Sequence, residues 1–183
     1  MNWIKQTVCL GLGLISMHNT MADHLVCRQG AGYVRCDAGT TEQIQGMGHT
    51  FIEGTQVKSD TTIQGMLEAH DFHFNTLTVQ GVCRLNHGTV EGAAHIMGDL
   101  TAAHVHFKQP IVIASNHIEL SGSTAPSITV RSSGASSVNQ VILKNSAQIK
   151  GGITFEQSSG EVWLYDQAQC TGPVYNGRII HKS

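Results

Sequence analysis

Three copies of one tetrapeptide, Thr62-Ile-Gln-Gly65, Thr78-Val-Gln-Gly81 and Thr89-Val-Glu-Gly92, indicate the fold of this chain. Shorter copies with an aliphatic, a polar and a glycine residue are Ile44-Gln-Gly46, Ile52-Glu-Gly54, Ile96-Met-Gly98, Leu120-Ser-Gly122 and Ile149-Lys-Gly151. From Val90 to Ala102 every second residue is aliphatic, alanine or glycine. This period of two is typical of β-strands, and the glycines are expected at bends between short strands. Repetition of this kind predicts an all-β protein whose turns stack into a β-solenoid.

Other fold classes fit the sequence less well. No segment after the first 22 residues keeps apolar side chains at helical spacing for three turns, and glycines recur too often for helix interiors. A β-sandwich is the alternative, because it is also made of alternating strands. Sandwich hairpins are typically marked by Asn-Gly or Asp-Gly, however, and Asn176-Gly177 is the only such pair in the sequence.

The first residues have the three parts of a secretory signal peptide. Lys5 precedes an apolar stretch from Thr7 to Met17, and Thr20-Met21-Ala22 provides small residues at the exit. The apolar stretch is shorter than the roughly 20 residues that a membrane-spanning helix needs, so we expect no membrane span. Cleavage after Ala22 predicts a protein of the periplasm or the extracellular space.

The rest of the chain suits a single domain. After the signal peptide at 1–22 we expect an N-terminal cap at 23–50, a solenoid at 51–175 and a C-terminal tail at 176–183. The aromatic residues Trp163, Tyr165 and Tyr175 are expected to cover the last turn. Charged residues make up only 13% of the chain and no basic run occurs, so nucleic acid is not expected as a partner.

Four cysteines remain after removal of the signal peptide, and four allow three disulfide connectivities. Two glycines between Cys27 and Cys36 allow the chain to turn back so that these two thiols meet. We therefore predict a Cys27–Cys36 disulfide that covers the N-terminal end. Cys83 and Cys170 lie in apolar alternations, where cysteine also serves as a small core residue, and are expected to be buried thiols.

Histidine is the one unusual component of the middle of the chain. Seven histidines fall in one stretch: His70, His73, His87, His95, His104, His106 and His117. Imidazole is the commonest neutral metal ligand, and turns stacked about 5 Å apart bring side chains within reach of one ion. His70, His73, His104 and His106 are therefore the candidate metal ligands, with surface or turn histidines as the alternative. The alternation places His104 and His106 inward unless a corner before Val105 inverts it.

Catalytic motifs of other kinds are absent from the sequence. It contains no Gly-x-Ser-x-Gly elbow, no phosphate-binding glycine loop and no calcium-binding repeat. The carboxylates Glu68, Asp71, Glu91 and Asp99 are scattered, and an acid/base pair for a polysaccharide would require the fold to bring them together. We expect a non-enzymatic protein without a cofactor. A small secreted enzyme or metal-binding protein that uses the histidines is the alternative.

The repeated aliphatic-x-Gly-x-aliphatic pattern from Phe51 to Val174 resembles the bactofilin family of polymer-forming bacterial proteins, and also the exported adhesin-head domains built from similar repeats. The resemblance implies a single-stranded right-handed parallel β-helix. It also implies a structural or interaction protein of the bacterial cell envelope or surface. The partners expected of such a protein are other envelope or surface proteins, or further copies that stack end to end.

The signal peptide gives the first testable prediction. Intact-mass analysis of protein from the cell envelope or the culture supernatant should show a chain that begins at Asp23, because cleavage is expected after Ala22. Recovery of the full-length chain from the cytosol alone would contradict this prediction.

Overall fold

The computed structural model describes residues 27–131, 138–156 and 159–183, which form a β-solenoid of about eight turns. The first nine strands are β1 (Cys27–Gly30), β2 (Tyr33–Cys36), β3 (Gly39–Thr41), β4 (Ile44–Glu53), β5 (Thr55–Val90), β6 (Ala94–Met97), β7 (Leu100–Phe107), β8 (Ile111–Ala114) and β9 (His117–Ser121). The other nine are β10 (Thr124–Ala125), β11 (Ile128–Arg131), β12 (Asn139–Lys144), β13 (Gln148–Ile149), β14 (Ile153–Phe155), β15 (Gly160–Tyr165), β16 (Gln169–Cys170), β17 (Val174–Tyr175) and β18 (Gly177–Lys182). These residues contain no helix, as the sequence predicts.

Each turn pairs with the next in parallel. Val34 of β2 lies beside Thr50 of β4, and Leu100 of β7 lies beside Ile118 of β9. Contacts between adjacent turns in this part of the chain join residues 16 to 18 positions apart. Strand pairing of this kind uses the backbone of every turn as the template for the next.

One turn has three straight segments, which define three faces of the solenoid. In the turn that starts at residue 77, the first face is 77–80, the second face is 83–86 and the third face is 88–90, and each pairs with the next turn. The first corner joins the first face to the second, the second corner joins the second to the third, and the third corner leads to the first face of the next turn.

The core is made of inward columns of aliphatic side chains. On the first face the column contains Leu77, Ala94, Ile111, Ile128 and Ile153, which stack by strand pairing and are almost completely buried. Burial of one such large aliphatic side chain stabilises a fold by roughly 1.5–3 kcal/mol. The alternation in the sequence is therefore the alternation between core and surface.

Glycines form a column at the first corner. Gly48, Gly65, Gly81 and Gly98 have φ values of 86°, 127°, 134° and 132°. A Cβ on any of them would lie within 1.9–2.1 Å of the carbonyl oxygen of the glycine one turn earlier. No other residue type fits this approach, so the bends expected from the tetrapeptide repeats are confirmed here.

The second corner holds left-handed residues in seven successive turns. They are Gly54, Asp71, His87, His104, Gly122, Asn145 with the adjacent Ser146, and Asp166, with φ between 49° and 65°. Asn, Asp and His are the non-glycine types most enriched in this conformation. The residue types at this corner therefore follow from the backbone.

The two ends of the solenoid differ from the expected boundaries. Parallel stacking begins at β2, within the segment assigned to the cap, and β18 pairs with β15 as the last turn where a tail was expected at 176–183. β1 pairs antiparallel with β2, and the predicted Cys27–Cys36 disulfide is confirmed. The predicted signal peptide at 1–22 lies outside the described residues.

The other two cysteines are free thiols. Cys83 is completely buried, and this burial raises its pKa above the usual range. Cys170 is half-buried in the last turns, and its pKa is also raised, mainly by burial. The expectation of a buried thiol is met fully by Cys83 and only in part by Cys170.

The glycine column generates a stability prediction. Gly81→Ala should lower the free energy of unfolding by about 2–4 kcal/mol, because the new Cβ would lie 2.0 Å from the Gly65 oxygen at a φ of +134°. The matched control is Gly32→Ala, where φ is +77° and nothing lies within 4 Å of the added Cβ. Urea unfolding of both variants separates two costs: the strain of a side chain at positive φ, which both variants have, and the overlap with the Gly65 carbonyl, which only Gly81→Ala has. Equal losses in the two variants would contradict the role assigned to the stacked carbonyl.

Candidate functional site

His104 occupies the second corner, and the corner inverts the alternation of the chain. Ala102 and Val105 both point into the core, on either side of Ala103 and the left-handed His104. His104 and His106 consequently lie on the surface, while Val105 and Phe107 are buried. This is the inversion before Val105 that places both histidines outside.

The four candidate metal ligands lie in four different environments. His70 is on the second face, with Nδ1 3.3 Å from Asn86 Nδ2. His73 is on the third face, with Nε2 3.5 Å from Glu91 Oε1. His106 Nδ1 is 2.9 Å from Thr124 Oγ1, and His104 packs on another histidine ring. Within the described ranges, no three His, Cys, Asp or Glu residues are grouped so that they could hold a metal ion.

His87 and His104 form a stacked pair along the second corner. Their ring centroids are 4.9 Å apart and their planes differ by 23°. Gly122 follows one turn later, and a Cβ there would lie 2.8 Å from His104 Nδ1, so the glycine makes room for the ring. The distance between the rings matches the distance between adjacent turns, which indicates that these histidines have a structural role at the corner.

The carboxylates considered for acid/base chemistry are separated by the fold. Glu68 accepts a hydrogen bond from Arg84 at 2.9 Å, and this contact holds the pKa of the Glu68 carboxyl below its usual range. Glu91 lies 2.8 Å from the Lys108 ammonium at the third corner. Asp99 accepts a hydrogen bond from the Ser115 hydroxyl at 3.3 Å at the first corner. Sequence reasoning could not place these groups, because their relative positions depend on the register between turns.

The C-terminal end exposes part of the inward column of the second face. Ile179 pairs with Val162 and continues this column, yet it is 40% exposed whereas Val162 is completely buried. At the N-terminal end the corresponding Val34 is only 6% exposed, and the hairpin of β1 and β2 lies there. In the part of the chain that the structure describes, no strand pairs with the outer edge of β18. This end is the surface that sequence reasoning missed.

The aromatic residues near the C-terminus do not cover this end. Trp163 and Tyr165 alternate with the inward Val162 and Leu164, so they lie on the outside of the second face. The Lys182 ammonium is 4.0 Å from the centroid of the Trp163 ring, a cation–π contact. The expectation of an aromatic cap is wrong, because the parity of β15 turns both side chains outward.

Glu161 connects this aromatic surface to the last strand. Its carboxylate accepts hydrogen bonds from Trp163 Nε1 at 2.9 Å and from Arg178 Nε at 3.1 Å, and these contacts lower its pKa. The aromatic groups and β18 are thus joined by side-chain contacts as well as by the backbone.

Comparison with family models, with curated proteins and with solved structures finds no match for the chain. The helix-free described segments contain no candidate for a membrane-spanning helix.

The exposed histidines yield a prediction about metal binding. The double variant His104→Asn with His106→Asn should melt within about 2 °C of the wild type, with or without chelator, because Asn adopts the left-handed conformation of the corner. Val90→Asp serves as the contrast and should prevent folding, because it buries an unpaired charge in the core. A chelator-sensitive wild type combined with a strongly destabilised double variant would contradict this prediction and support a structural metal.

Proposed function

We propose that this protein is an exported, non-enzymatic structural or interaction protein of the bacterial cell envelope or surface, and that it assembles through its C-terminal end. The observation that carries the proposal is the difference between the two ends. The N-terminal end has a disulfide-linked hairpin, while the C-terminal end exposes Ile179 and an edge of β18 with which no described strand pairs.

An open strand edge is a template for another strand. The backbone N–H and C=O groups on the outer edge of β18 are available for pairing, and natural proteins usually protect such edges. Strand addition gives affinity through main-chain hydrogen bonds, and the inward side chains give specificity. A β-protein that stacks on this end would also bury Ile179 and the half-buried Val174.

Other features support a structural role in an oxidising compartment. Disulfides persist in secreted proteins and in the periplasm, which fits the Cys27–Cys36 pair. Several surface carboxylates are paired with basic side chains of adjacent turns, as Glu68 is with Arg84 and Glu119 with Lys144. Rows of ion pairs between adjacent turns, along a rigid surface, are suited to a scaffold protein.

Self-association of the mature chain tests this proposal. Sedimentation velocity of residues 23–183 should show species larger than a monomer whose fraction rises with concentration. Ile179→Asp should shift the population to the monomer, because it places a charge at the apolar centre of the contact. Far-ultraviolet circular dichroism and the melting temperature of this variant should remain close to those of the wild type, since the side chain is already 40% exposed.

The matched control is Met97→Asp, which changes another exposed apolar residue, 52% exposed on the first face and far from the end. This variant should associate like the wild type. A wild type that stays monomeric at about 100 µM, or equal effects of the two substitutions, would contradict assembly through the C-terminal end.

A further inference from the structure

We propose that a groove at the third corner binds a small organic carboxylate with an apolar body. The groove has a volume of about 730 Å³. It is lined by three consecutive turns, at 106–108, 124–126 and 150–151. Sites for small ligands typically have volumes of about 300–1,000 Å³. This binding site is independent of the open C-terminal end.

Side-chain size along the turns creates the groove. Thr124 lies between His106 and Gln148 in the pairing of three turns. At the corner, Pro126 comes between Lys108 and Lys150, since the amide of Gly151 donates to the Pro126 carbonyl and that of Lys150 to the Ala125 carbonyl. The middle turn therefore carries short side chains and its two neighbours carry long ones, which leaves a trough between them.

The charge of the groove favours an anion. Its lining includes Lys108, Lys150 and His106 and contains no carboxylate. Lys150 is exposed and forms no ion pair with any residue that the structure describes. Lys108 contacts Glu91 at 2.8 Å, but an ammonium has three donors, so donors remain for a ligand. The whole chain has a formal net charge of −2, so this local positive charge is a property of the site.

The spacing of the lysines suits one carboxylate above Pro126. Two turns separate Lys108 from Lys150, which corresponds to about 10 Å between their backbones. Both side chains have long flexible stems, so their ammonium groups can converge on one group midway. The half-buried Pro126 ring offers apolar contact to the rest of the ligand, next to Ala125 and Phe107, which are almost completely buried. Charge-assisted hydrogen bonds at one end and apolar contact at the other define the ligand class.

Paired small-molecule probes test this inference on the mature chain. The probes are benzoate, phenylacetate and hexanoate, each compared with its neutral primary amide, and binding is followed by amide shifts of ¹⁵N-labelled protein. We expect at least one carboxylate to shift the amides of Thr124, Ala125 and Gly151, and its amide counterpart to leave them unchanged. Lys150→Gln should weaken that binding about tenfold or more, since it removes a charged hydrogen-bond donor.

Lys58→Gln is the matched control, because Lys58 is also an exposed lysine but pairs with Glu42 at 3.1 Å outside the groove. It should leave the affinity unchanged. The inference is overturned if no carboxylate shifts the groove amides at millimolar concentration, if the neutral amides shift them equally, or if Lys150→Gln has no effect. None of these results bears on self-association, so the two proposals fail separately.

Discussion

Backbone contact at the first corner is the constraint on which the stacking depends. Gly48, Gly65, Gly81 and Gly98 each lie so close to the carbonyl of the glycine one turn earlier that a side chain has no room. While this column lasts, contacts between adjacent turns join residues 16 to 18 positions apart. Beyond it the separation rises to between 21 and 25, and it returns to 17 where β18 pairs with β15. Turn length is therefore nearly constant along the glycine column and varies after it.

The sequence was sufficient for the class of fold but not for its register. Alternation of aliphatic residues predicted the inward columns, and the glycines predicted bends. Gly65 and Gly81 stack at the first corner, whereas Gly92 lies at the third corner, where its amide donates to the Asn75 carbonyl. Similar tetrapeptides thus occupy different corners, because the pattern specifies a strand followed by a bend and does not specify which bend. The corner at His104 inverts the alternation but contains no glycine, so the sequence pattern did not show which side chains point inward there.

Both candidate surfaces depend on features that a one-dimensional pattern does not contain. The groove requires Lys108, Pro126 and Lys150 to align, and the turns that separate them have unequal lengths. β18 pairs with β15 along its whole length, yet Gly177–Lys182 was assigned to a tail because it lies beyond the repeats. The outward position of Trp163, by contrast, follows from its place between the apolar Val162 and Leu164. The sequence predicted which side chains of one strand point inward, but it did not predict how one turn aligns with the next.

The left-handed residues of the second corner have a consequence for protein design. They form a row of sites over seven successive turns, where Gly, Asp, His and Asn occur and Ser146 follows Asn145 in one turn. Exchange among these four types would alter charge and metal affinity along a straight line at the spacing of the turns, while the core remains untouched. Substitutions at the second corner could therefore place chosen chemical groups along the solenoid at intervals of about 5 Å.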